Sequence, residues 1–134
     1  MCNDHNKCWE NEGEELIREG ARDIKEGLKD IRKGVWFVLS EEICEGEKAI
    51  REGLEDVEEG LKDLIKGLKL LCFEDNECVE KGIRHIIEGI KDVHEGLKEI
   101  RCGDICEGLK KVLKGACEIE KGLVEIICAL EFEK

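Results

Sequence analysis

At 134 residues the chain is long enough for one domain with a real hydrophobic core. Hydrophobic residues at 41% and charged residues at 42% exclude a membrane-embedded chain and a hydrophobe-poor disordered one, and the net charge of −12 argues against nucleic acid and anionic membrane surfaces as partners. Pro, Thr, Tyr and Gln are absent and Ser40 is the only serine, which leaves little of the turn and strand chemistry that an ordinary β-sandwich needs.

In chain order, the pattern predicts four helices. Asn11 with Glu14 three residues later reads as a capping box for the first, over about 11–39. Ser40, followed by Glu41 and Glu42, opens the second over about 41–71, and Asp75 or Asn76 opens the third over about 77–102. Gly103 suits the position just past the end of the third helix, and Asp104 with Glu107 caps a fourth over about 104–132. Connections this short force antiparallel neighbours, so the expected fold is all-α, an up-down-up-down four-helix bundle made of two tandem hairpins.

The strongest signal is a glycine every seventh residue, at Gly13, Gly20, Gly27 and Gly34, then Gly46, Gly53, Gly60 and Gly67. It returns at Gly82, Gly89, Gly96 and Gly103, and again at Gly108, Gly115 and Gly122, which accounts for all 15 glycines. Aliphatic residues keep step at spacings of three and four, as in Ile24, Leu28, Ile31 and Val35 or Leu54, Val57, Leu61 and Leu64. That is the a/d seam of a heptad, with glycine beside it at g. A helical glycine costs about 1 kcal/mol relative to alanine, so the set forgoes roughly 10 kcal/mol, comparable to a domain's net stability. Close approach of two backbones is the expected return, centred on Gly20, Gly27, Gly53, Gly60, Gly89, Gly96, Gly115 and Gly122. A groove floored by glycine and holding an apolar ligand is the alternative.

The repeat extends beyond the heptad. Cys2-x5-Cys8 opens the chain and Cys72-x5-Cys78 opens its second half, while Ile43-Cys44-Glu45-Gly46 matches Ile105-Cys106-Glu107-Gly108. Residues 1–71 and 72–134 therefore read as two copies of one hairpin within a single four-helix domain, with a pseudo-twofold relation.

Nine cysteines point to a disulfide-permissive setting: a secreted protein, or one from a hyperthermophile or its virus. Residues 1–15 are polar and show no signal-peptide core, and an apolar run such as Val35-Trp36-Phe37-Val38-Leu39 is far too short to span a bilayer. In an up-down-up-down bundle Cys2, Cys8, Cys72, Cys78 and Cys128 gather at one end and Cys44, Cys102 and Cys106 at the other, so disulfide staples are expected within each end, with Cys44 joined to Cys102 or Cys106. Cys117 lies mid-helix and is expected to be free or to bridge to another molecule.

Catalytic patterns are lacking. No Glu lies three residues before His5, His85 or His94, so the Glu-x-x-His pairs of a di-iron bundle do not occur, and no phosphate loop or nucleophile elbow is present. A metal is the sharper alternative, with Cys2, His5 and Cys8 as candidate ligands for zinc or copper(I). Yet only Cys102 and Cys106 have Cys-x-x-x-Cys spacing, and no cysteine occupies an a or d position. His85 and His94 read as helix-surface histidines, and Trp36 with Phe37 as a plug at one end of the bundle. A designed origin would fit the restricted alphabet, but 15 glycines at helical positions and an odd cysteine count argue against it. The expectation is a thermostable, non-enzymatic structural or interaction protein that self-associates, without cofactor.

Overall fold

A computed structural model describes residues 7–133, with side chains from 11 to 131. Four helices follow one another: α1 Lys7–Leu39, α2 Ile43–Leu70, α3 Glu77–Arg101 and α4 Ile105–Glu133. Neighbours in space are α1·α2, α2·α3, α3·α4 and α4·α1, while the diagonal pairs stay apart. The order is up-down-up-down. Within the hairpins α1·α2 and α3·α4 the backbones run in intimate contact; between hairpins the approach is much looser.

The core is the heptad seam. Ile24, Leu28, Ile31, Ile50, Leu54, Val57, Leu64, Ile86, Val93, Ile119, Leu123 and Ile126 are all buried, and among the described residues no polar or charged side chain is buried with them. Phe73, Ile17, Ile43 and Leu130 pack against its margins. Each aliphatic side chain removed from water is worth about 1.5–3 kcal/mol, which is the main term opposing chain entropy and the self-repulsion of a −12 chain.

All three turns use one device. The chain leaves each helix through a single residue in the left-handed region, Glu41 at φ 69°, Cys72 at φ 61° and Gly103 at φ 94°. The following amide then reaches back five residues, Glu42 N to Phe37 O at 2.8 Å, Phe73 N to Leu68 O at 2.9 Å and Asp104 N to Glu99 O at 2.9 Å. These bonds satisfy carbonyls that the helix end would otherwise orphan. Only the third turn has glycine where left-handed backbone is least costly.

The helix starts correct two expectations. Asn11 lies inside α1, which begins at Lys7, so it does not cap that helix. Ser40 does not open α2 either: Glu42 is its N-cap residue and makes no side-chain cap bond, because the left-handed Glu41 sets the turn through the backbone. At α3 the side chain of Asn76 caps the helix, with Oδ1 accepting from Val79 N at 3.1 Å.

Candidate functional site

The most distinctive geometry lies along the two hairpin seams. Glycines face glycines in strict register: Gly13 with Gly67, Gly20 with Gly60, Gly27 with Gly53 and Gly34 with Gly46 in the first hairpin, and Gly82 with Gly122, Gly89 with Gly115 and Gly96 with Gly108 in the second. A β-carbon added at Gly20 would stand 2.5 Å from the Gly60 carbonyl oxygen, and one at Gly89 would stand 2.5 Å from that of Gly115. Those obstacles are backbone, which cannot swing aside. Except at Gly13, where the nearest atoms stand 3.0–3.1 Å away, the seam is closed to side chains, and it leaves no glycine-floored groove. Gly103 alone has open space around it; its role is the turn.

Beside each seam runs a line of c-position side chains, and its chemistry differs between hairpins. The glycine register sets Asp30 opposite Asp56 and Asp23 opposite Asp63 in the first. Partial burial raises the Asp56 pKa above its ordinary 3.8, and the nearby charges of Asp30, Asp23, Glu26 and Glu55 raise it further. In the second hairpin the same positions hold complementary pairs. His85 Nδ1 lies 2.5 Å from Glu125 Oε1, and Lys111 Nζ lies 2.5 Å from Glu99 Oε2 and 3.6 Å from Glu95 Oε1. The Glu99 carboxylate is the main cause that raises the Lys111 pKa. Only the middle rung, Asp92 opposite Glu118, is like-charged.

Among the described residues one polar pair crosses between hairpins on each side, Arg32 to Glu120 at 2.7 Å from α1 to α4 and His94 to Glu58 at 3.4 Å from α2 to α3. Helix periodicity alone marks His85 and His94 as surface residues, and His94 is indeed exposed, whereas His85 is half-buried against its partner. The glycine pairing was the missed signal, since it fixes which c-position residues meet.

Among the described cysteines expected in staples, all but Cys72 depart from that expectation. Cys44, Cys78, Cys102, Cys106, Cys117 and Cys128 are exposed free thiols, and no pair of described cysteines stands at disulfide distance. Sharing an end of the bundle is insufficient, because none of these residues sits on the core-facing a/d seam and a bridge needs α-carbons within about 7 Å. The Cys44 bridge to Cys102 or Cys106 is thus not formed. Cys72 is disulfide-bonded. Cys2, His5 and the side chain of Cys8 lie outside the described residues. Among the described residues no three His, Cys, Asp or Glu side chains gather as a metal ion would require.

Trp36 plugs nothing. It is 68% exposed, at the end of α1 on the side facing α4 rather than over the core. Farther along that face, Lys25, Leu28, Glu120, Leu123, Val124, Ile127 and Cys128 line an open groove of about 200 Å³. That is below the roughly 300 Å³ at which small-molecule sites begin.

No protein family, curated protein or solved structure matches this chain. No helix among the described residues is long and apolar enough to cross a membrane.

Proposed function

We propose that the chain is a non-enzymatic structural building block, a pair of glycine-sealed helical hairpins that self-associates and is cross-linked by its spare thiols in an oxidising setting. The observation that carries this reading is the division of the molecule. Its described interior is wholly aliphatic, and its six described free thiols are all exposed. Exposed thiols can pair between molecules, two thiols losing two protons and two electrons to an oxidant such as molecular oxygen and forming one disulfide. A staple at the end that carries Cys2, Cys8 and Cys72 accompanies this, and a hairpin duplication accounts for the matched cysteine spacings.

Non-reducing denaturing electrophoresis of protein purified without reductant tests the reading, with peptide mapping of each bridge. A ladder of multimers that collapses on adding reductant is expected, with Cys117 among the linked residues. A single monomer band with all six thiols unreacted would overturn thiol-linked assembly.

A further inference from the structure

Among the described residues, four of the five large apolar side chains that stand exposed occupy b or e positions on the flank that the Arg32–Glu120 pair marks between α1 and α4: Trp36 at 68%, Leu39 at 61%, Val124 at 52% and Leu113 at 44%. A cluster of exposed apolar groups on so charged a chain marks an interaction surface. We propose that this face receives a second copy of the chain, α1 on α4 and α4 on α1, about a twofold axis running along the bundle. The proposal rests on the self-association reading above and says where contact is made.

The Arg32–Glu120 pair fixes the level of the two helices. At about 1.5 Å per residue, Trp36, Leu39 and Leu113 lie about 6–10 Å to one side of it, and Val124 about 6 Å to the other. A lengthwise twofold keeps every level and exchanges the helices. Trp36 and Leu39 of one copy then meet Leu113 of the next, so apolar groups cover apolar groups. Charge complementarity selects this arrangement. The α1 flank is basic through Lys25, Lys29 and Arg32, whereas α4 presents Glu120 at the same level. Exchange sets Arg32 of one copy beside Glu120 of the other. Packing α1 on α1 would instead bring the cations together.

The apolar stripe is about 20 Å long and two helices wide, so each copy buries roughly 400 Å², which belongs to the weak, concentration-dependent class of interfaces. Sedimentation equilibrium of the full chain in reductant reads the contact without any disulfide. The expected mass is one copy at low micromolar concentration, moving to two copies at several hundred micromolar. Trp36→Glu and Leu113→Glu, both at exposed positions, should keep the helical circular dichroism and weaken the dimer at least tenfold. Arg32→Glu should weaken it too, and Arg32→Glu with Glu120→Arg should restore it. A wild-type chain that stays at one copy throughout overturns the proposal. So does a dimer that survives both Trp36→Glu and Leu113→Glu, or one that breaks only with Ile87→Glu on the α2/α3 side. A reduced dimer without an oxidised ladder removes the thiol linkage and keeps this interface; a ladder without a reduced dimer does the reverse.

Discussion

The two hairpins share a seam and differ in what flanks it. In α1·α2 and α3·α4 alike, backbones meet glycine to glycine so closely that at every rung a β-carbon on at least one of the two glycines would stand less than 3 Å from the opposing carbonyl oxygen. Beside that common seam, the first hairpin carries Asp30 against Asp56 and Asp23 against Asp63, and the second carries His85 against Glu125 and Lys111 against Glu99. One flank repels and the other attracts, yet both hairpins close in the same way. Packing of backbone and aliphatic side chains thus sets the fold, and the flanking charges adjust it. The magnitudes agree: exposed ion pairs contribute about 0–1 kcal/mol each, whereas overpacking a core position costs about 1–3 kcal/mol or more.

The comparison breaks most severely at the seam. Gly60→Leu in the first hairpin and Gly89→Leu in the second should each cost about 3 kcal/mol or more, despite the better helix propensity of leucine. Chemical denaturation measures both. A stabilised variant in either hairpin would mean that close packing is not what these glycines provide.

Turn variants should produce the next largest effect. Glu41→Gly removes a β-carbon from left-handed backbone and should stabilise by up to about 1 kcal/mol, while Gly103→Ala introduces one and should cost about as much. Opposite signs in thermal melts of the two variants check this.

Flank variants sharpen the contrast at a few tenths of a kcal/mol. Asp56→Asn should stabilise at pH 7, because the native state there holds a carboxylate whose charge it disfavours. A carboxyl with a raised native pKa contributes stability below its ordinary 3.8 and loses it as pH rises through the native value, so the gain from Asp56→Asn should vanish near pH 3. Glu125→Gln in the second hairpin should instead destabilise at pH 7. The smallest effect belongs to Lys111. Its raised pKa means that its contribution is present below the ordinary 10.5 and is lost as pH rises beyond the native value, visible as a slight alkaline weakening absent from Lys111→Met.

Much of this was legible in the sequence. Ile24, Leu28, Ile31 and their counterparts in the other helices keep the heptad period that places four helices, and the breaks between glycine runs mark the turns. Side-chain direction at the ends was not legible. Ser40 looks like a cap, but the left-handed Glu41 takes over the turn, and Cys44, Cys102 and Cys106 share an end without sharing a direction toward one another. Trp36 looks like a plug because large aromatics usually bury; its b position, one residue past the buried a-position Val35, turns it outward instead. Periodicity reports which face of a helix is apolar and is silent on which neighbour that face will meet.

The glycine register has a further consequence for how the hairpins find their alignment. Sliding one helix past its partner by seven residues, about 10.5 Å, again sets glycine against glycine and aliphatic against aliphatic, at the loss of a single glycine rung. The seam behaves as a ratchet with evenly spaced stops, and it does not by itself say which stop is native. Tight turns make that choice. Residues 102–104 between α3 and α4, and 40–42 between α1 and α2, are too short to reach any other stop. Three residues of turn in each hairpin thereby decide the alignment of some sixty residues of helix.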